Sequence, residues 1–302
     1  MIEILITTST FNIENLDYSN YRKKIKFIIN KSGKKVKENF LKKNIKNVHG
    51  IIAGTEKYDK NILNKAKKLK LICRIGVGTD NIDLNCCKKK KIKVLTSKTD
   101  LSIGVAEQTL SLIFAALKKT CKFDNSIKNA SWKKEYTSLL YKKKIGIIGF
   151  GKIGKKIYNL TKPFKLTYFY HDKIKSRYPD IKFKSIKEIF RCCDIVTIHL
   201  PYNEKTNQVI NKKVFTKIKS KIILINTSRG QIINEKDLFN FLSKNQQSMA
   251  CLDVFEKEPY KGRLKKLTNT ILTPHISGYS LELRNSMEKE AINSLIKKFI
   301  KR

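Results

Sequence analysis

Short apolar runs recur along the chain, each followed by a stretch in which apolar residues return every third or fourth position. Runs 3–8 (EILITT), 48–54 (VHGIIAG), 69–76 (LKLICRIG) and 92–97 (IKVLTS) read as buried strands. Between them, KKVKENFLKKNIK and YDKNILNKAKKL carry the helical period. The longest apolar helix is predicted over 102–120, with Ser102 as its N-cap. The alternation then restarts. Strands are predicted at 144–151, 166–172, 194–200, 221–228, 248–255 and 270–276, and SLELRNSMEKEAINSLIKKFI closes the chain as a helix. Repeated strand–helix alternation implies parallel sheets covered on both faces. In a chain of 302 residues, two α/β units joined near 102–120 are expected.

Composition narrows the function. A hydrophobic fraction of 41% belongs to a folded chain. No apolar run spans a bilayer, so no membrane partner is expected. The start, MIEILITTSTF, lacks a basic n-region and a cleavage site, which predicts a cytoplasmic protein. The seven cysteines are adjacent pairs or single residues without C-x-x-C, so reduced thiols and no metal site are predicted. The net charge of +40 suggests a polyanion as partner, but 57 lysines stand against eight arginines. Base and phosphate recognition leans on the planar arginine fork. Here lysine is spread over nearly every segment, so weak binding at low salt is expected and specific nucleic-acid binding is not.

Gly149, Gly151 and Gly154 form G-x-G-x-x-G between a predicted strand (KIGII) and a predicted helix (IGKKIYNLTK) that Pro163 stops. The first glycine permits a tight turn, the second lets backbone approach a pyrophosphate, and the third lets helix and strand pack closely. The helix N-terminus offers free N–H groups to the phosphates. Asp172 ends the next strand. It either accepts from the adenosine ribose hydroxyls, favouring NAD over NADP, or caps a helix without a ligand. Lys173, Lys175 and Arg177 follow it and would soften that cofactor preference.

Three further stretches, 225–238, 251–259 and 273–280, bring titratable groups to predicted strand ends, where open α/β sheets bind ligands. Arg229 either clamps a carboxylate bidentately or is a surface residue. His275 becomes an acid/base if Glu258 reaches its ring, because a carboxylate there fixes the tautomer.

The motifs RIGVGTDNIDL, VAEQTLSLI, GIIGFGKIG, HLP followed by Thr206, NTSRGQIINEKDL, LDVFEKEP and PHISGYS occur in this order. From about residue 48 onward the chain resembles the D-isomer-specific 2-hydroxyacid dehydrogenases, most of all their phosphoglycerate-dehydrogenase-like branch. The resemblance implies a Rossmann-type doubly wound parallel sheet as an NAD-binding domain (99–278). It implies a smaller flavodoxin-like substrate domain from 1–98 and 279–302, and a homodimer formed through the cofactor domain. Arg229 would bind the substrate carboxylate and carbonyl oxygen. His275 would be the acid/base at the C2 oxygen, with Glu258 as its partner. The backbone of Gly76, Val77 and Gly78 would form a nest for the carboxylate. Lys152 and Ile153 would lie against the pyrophosphate, and Leu200, Thr227, Ser228, Asp253 and Gly278 would line the nicotinamide side. His199 would be structural or part of the cofactor wall.

The chain departs from the family pattern in places. Gly54 stands where many phosphoglycerate dehydrogenases carry an arginine, although Thr55 and Lys57 would offer some compensation. Gln231 replaces a small residue, and HDK replaces the usual Asp-Pro after the second strand. No regulatory domain is expected after the last helix, nor control by serine through one. The expected activity is NAD-dependent hydride transfer at C2 of a small D-2-hydroxy acid, with 3-phosphoglycerate and serine biosynthesis first. The alternatives are a glyoxylate or hydroxypyruvate reductase and a non-enzymatic NAD(H) sensor of the corepressor kind. Keto-acid reduction is expected to weaken as pH rises through the titration of His275.

Overall fold

The computed structural model describes residues 1–11, 21, 23–175, 178, 180–218 and 221–300; Arg177 lies outside them. The first elements are β1 (Ile2–Ile6), β2 (Ile25–Ile29), α1 (Glu38–Asn44), β3 (Gly50–Ala53), α2 (Lys60–Leu63), β4 (Leu71–Arg74), α3 (Leu84–Lys89) and β5 (Lys93–Thr96). Next come α4 (Ser102–Lys118), α5 (Thr120–Lys128), β6 (Lys144–Ile148), α6 (Lys152–Thr161), β7 (Thr167–His171), β8 (Ile181–Phe183) and α7 (Ile186–Cys192). The last are β9 (Ile195–Ile198), α8 (Lys212–Phe215), β10 (Ile223–Asn226), α9 (Glu235–Lys244), β11 (Met249–Leu252), β12 (Thr270–Leu272) and α10 (Leu281–Phe299). The chain divides into two compact units, Met1–Leu101 with Tyr279–Arg302, and Ser102–Gly278.

The first unit holds a five-stranded parallel sheet in the order β2-β1-β3-β4-β5. Side chains alternate across it, as a strand period of two requires. Leu5, Ile51 and Ile72 meet Leu41, Ile62 and Cys87 from α1 to α3 on one face. Ile4, Ile6, Ile52 and Leu71 meet Met287, Ile292, Leu295 and Ile296 of α10 on the other. The second unit holds seven parallel strands in the order β12-β11-β10-β9-β6-β7-β8. Ile145, Ile147, Ile195 and Ile225 pack under α4 and α6. Ile148, Val196, Ile198 and Leu224 pack under α7 to α9.

Several expectations need correction. Ser102 is the first residue of α4 and is buried, rather than an N-cap outside it. The predicted helix 102–120 ends at Lys118, because Lys119 takes a left-handed conformation (φ 54°) and is the N-cap of α5. Only Lys60–Leu63 of the second helical stretch is helical, with Asp59 accepting from the Ile62 N–H at 3.1 Å. The edge strands β2 and β8 were not predicted. Their short runs sit among lysines, which edge strands tolerate.

Candidate functional site

In each sheet the strand order reverses once, between β6 and β9 in the second unit and between β1 and β3 in the first. Open α/β sheets bind ligands in the crevice at the carboxyl ends of such strands. The glycine turn leaves β6 at that point. Gly149 has φ +95°, and a Cβ on it would lie 2.6 Å from the carbonyl carbon and oxygen of His199. Only glycine lets the turn pass the end of β9 so closely. A Cβ on Gly154 would meet the Gly149 oxygen at 2.4 Å, which seats α6 directly on the turn. Above Gly151 there is open space, with nothing within 4 Å of an added Cβ. Gly151 is also the N-cap of α6, and no side chain caps the first N–H groups, starting with Lys152 and Ile153. An open cradle over uncapped N–H groups fits a dinucleotide pyrophosphate.

Asp172 follows β7. Its Oδ2 accepts from the Phe150 N–H at 2.7 Å and its Oδ1 from the Lys173 N–H at 2.6 Å. It braces the glycine turn rather than capping a helix. His199 follows β9, and both of its ring nitrogens are shielded from solvent with no hydrogen-bond partner among the described residues. Burial pushes its pKa down to about 3, so the ring is neutral. An orphaned polar ring beside the turn is a second mark of a ligand site.

The loop after β10 carries Thr227, Ser228 and Arg229. Buried Asn226 organises it: its Oδ1 accepts from the Ser228 N–H (3.1 Å) and Oγ (2.8 Å), and its Nδ2 donates to the Arg229 carbonyl at 2.9 Å. Thr227 Oγ1 lies 3.0 Å from Thr109 Oγ1 on α4. Arg229 Nη1 donates to the Ser228 carbonyl at 2.8 Å. A Cβ on Gly230 would come within 1.9 Å of the Phe255 carbonyl carbon. The Arg229 turn therefore rests, backbone on backbone, against the loop that carries Glu258. Gln231 donates to the Glu256 carbonyl at 3.2 Å, which gives the unusual side chain a role in the same junction.

His275 Nδ1 lies 2.9 Å from Glu258 Oε2, and Glu258 Oε1 accepts from the Phe255 N–H at 3.1 Å. With Nδ1 donating to the carboxylate, Nε2 is the nitrogen left for a substrate. His275 has φ +56°, a left-handed conformation that costs a non-glycine residue about 1–3 kcal/mol and clusters at functional sites. Asp253 holds the loop in place. Wholly buried, its Oδ1 accepts from Thr273 Oγ1 (2.5 Å) and the Ile276 N–H (2.9 Å), and its Oδ2 from the Ser277 N–H (2.9 Å) and Oγ (2.5 Å). Asp253 thus positions the histidine loop, a role its expected place by the nicotinamide did not suggest. Asn226, Thr273 and Ser277, unlike Asp253, were not singled out by the sequence. Their signal was an Asn or Asp at a strand end, the residue types that bond neighbouring backbone in turns.

Leu200 follows β9, and Gly278 ends the histidine loop. Gly76, Val77 and Gly78 follow β4 in the first unit; Gly76 has φ +128° and Val77 is exposed. Among the described residues no helix is long and apolar enough to cross a membrane, and no group of three or more His, Cys, Asp or Glu is placed to hold a metal.

Residues 110–277 match the family model of the D-isomer specific 2-hydroxyacid dehydrogenase NAD-binding domain. A glyoxylate reductase of Pyrococcus horikoshii is 31% identical over 278 residues, covering 87% of this chain and 83% of that protein. A D-3-phosphoglycerate dehydrogenase of Methanocaldococcus jannaschii is 34% identical over 259 residues. That match takes in 83% of this chain but only 49% of the relative, so the chain spans about half of it. A D-lactate dehydrogenase structure from Aquifex aeolicus, solved with NAD and lactic acid, superposes with a TM-score of 0.81 at 25% identity, covering 99% of this chain and 95% of that one.

Proposed function

Because the chain belongs to the D-isomer-specific 2-hydroxyacid dehydrogenases, which are NAD-dependent oxidoreductases, we propose that it reduces a small 2-oxo acid to the 2-hydroxy acid: glyoxylate to achiral glycolate, or hydroxypyruvate to D-glycerate. The carrying observation is the 2.9 Å contact between His275 Nδ1 and Glu258 Oε2, on a loop braced by Asp253. NADH, when bound, supplies the hydride that reaches C2. Glu258 holds the His275 tautomer and supports the protonated ring, and Nε2 delivers the proton to the C2 oxygen. Arg229 grips the substrate carboxylate and stabilises charge growing on that oxygen. In the reverse direction neutral His275 takes the hydroxyl proton. Gly76, Val77 and Gly78 bind the carboxylate through backbone N–H groups.

Gly149, Gly151, Lys152, Ile153 and Gly154 hold the pyrophosphate, and Asp172 the adenosine ribose. Leu200, Thr227, Ser228 and Gly278 line the nicotinamide end, with Asp253 behind them. In this reading the first unit is the substrate domain and the second the cofactor domain. The seven unpaired cysteines are consistent with a reducing cytoplasm. Ile127, Trp132, Tyr136, Leu139 and Tyr141 are exposed, Tyr136 at 98%. So much bare aromatic surface on one segment of the cofactor unit supports a homodimer formed there.

Oxidation of 3-phosphoglycerate, in serine biosynthesis, is the second reading. It is favoured by the 34%-identical relative and opposed by Gly54. The test is NADH consumption with glyoxylate, hydroxypyruvate and 3-phosphohydroxypyruvate, with His275→Ala as control. Preference for an unphosphorylated acid, lost in the variant, supports the reductase. Preference for the phosphorylated acid supports the second reading. Tight NADH binding without turnover of any acid would move the protein to the sensor class.

A further inference from the structure

The first unit has its own switch-point crevice, at the carboxyl ends of β1 and β3, and it contains a buried carboxylate. Glu56, 3% exposed, follows β3. Its Oε1 accepts from the Gly54 N–H at 2.8 Å and from Tyr58 Oη at 2.6 Å, and Thr7 Oγ1 lies against the same oxygen. Tyr58 is pushed well above the usual phenol pKa, first by burial and then by the charge of Glu56, so it remains the donor. The other oxygen, Oε2, occupies the space a side chain at residue 54 would need: a Cβ on Gly54 would stand 2.8 Å from it. No side chain at residue 54 therefore covers this oxygen, at the carboxyl end of β3. Thr8 also lies 3.5 Å from that same Cβ position. Its hydroxyl is buried without a hydrogen-bond partner among the described residues.

The neighbouring strand carries the opposite sign. Ala53 pairs with Arg74, and the Arg74 guanidinium lies 3.0 Å from the Cβ position of Gly76. A positive group thus stands by the glycines assigned to the substrate carboxylate. A negative one, Glu56, follows the adjacent strand β3.

We propose that Glu56, beside Gly54, is the specificity-determining residue for the distal end of the substrate: it excludes keto acids with an anionic distal group and admits those with a neutral one. The proposal rests on the keto-acid reductase reading and supplies the physical reason for preferring an unphosphorylated acid. A distal hydroxyl can donate to Oε2 and also answer the unpartnered Thr8 hydroxyl. A phosphate or carboxylate brought to the same place has only acceptors to offer a carboxylate, and like charges in a desolvated site repel strongly.

The test uses the full chain with NADH, measuring kcat/KM for hydroxypyruvate and 3-phosphohydroxypyruvate in wild type and Glu56→Gln. The isosteric amide removes the charge and keeps the shape. The expected result is a rise of about tenfold or more in the ratio of phosphorylated to unphosphorylated kcat/KM, carried mainly by KM. A merely structural Glu56 would lower both values together and leave the ratio fixed, which overturns the proposal. Should the variant fold poorly, wild type alone decides. Comparing 2-ketobutyrate with oxaloacetate, it is expected to favour the acid with the neutral end by at least about tenfold, and a preference for the dianion overturns the assignment. If wild type reduces no keto acid at all, the reductase reading itself falls and takes this one with it. A fixed ratio in an active enzyme removes only Glu56.

Discussion

His275 sits in a strained backbone conformation, with one ring nitrogen committed to Glu258 and a loop tied by four hydrogen bonds to Asp253. In the proposed mechanism, replacing it with alanine removes the proton donor but leaves the glycine turn untouched. Turnover is expected to fall by about 10²–10⁴-fold while NADH affinity, read by fluorescence titration, is retained. Asp253→Asn leaves the histidine in the chain and loosens its loop. It is expected to lower kcat and to alter the pH–rate profile, which a simple loss of stability does not do. His199 makes a prediction of a different kind. Its folded pKa is about 3 against 6.5 for the free side chain. Between those values the unfolded chain binds a proton that the folded protein refuses, so stability present above pH 6.5 is lost as pH falls toward 3. Urea midpoints at pH 7 and pH 5 are expected to drop less for His199→Asn than for wild type.

At the scale of elements, two close backbone contacts shape the candidate site. Gly230→Ala would drive a Cβ into the Phe255 carbonyl, and neither backbone can yield cheaply. The Arg229 turn is expected to shift, raising KM for the keto acid with a smaller change in KM for NADH. Gly149→Ala, with its positive φ and its contact with His199, is expected to do the reverse. Comparing the two variants with both substrates varied separates the effects.

The central strands and the glycine turn were legible in the sequence, because buried parallel strands are nearly unbroken apolar runs and the turn needs glycine at fixed spacing. The short helices were less so. YDKNILNKAKKL has the helical period over most of its length, yet only four residues are helical; the rest is settled by packing that no local pattern encodes. Among the site residues, Arg229, Glu258 and His275 stood out as charged groups at strand ends. Asn226 and Glu56 did not, because their importance lies in what the fold places next to them.

For the whole molecule the contrast is between charge and exposed apolar surface. With +40 spread over the chain, nucleic-acid retention is expected at low salt and abolished at physiological salt, as a filter-binding titration would show. The bare segment around Trp132 and Tyr136 predicts a dimer by light scattering. Trp132→Glu with Tyr136→Glu is expected to give a monomer that still binds NADH. The same charge is expected to make that association stronger as salt rises, because repulsion between copies is screened while apolar burial is not.

The interrupted first unit has a consequence for how the molecule comes into being. During synthesis β1 to β5 emerge first, but one face of their sheet, with Ile4, Ile6, Ile52 and Leu71, is covered by α10 from the far end of the chain. The second unit contains every strand of its own sheet and can complete its core while α10 is still inside the ribosome. Vectorial folding normally proceeds from the N-terminus; here the middle of the chain is expected to complete its core before its beginning. Until α10 emerges, the apolar face formed by Ile4, Ile6, Ile52 and Leu71 is expected to stay uncovered.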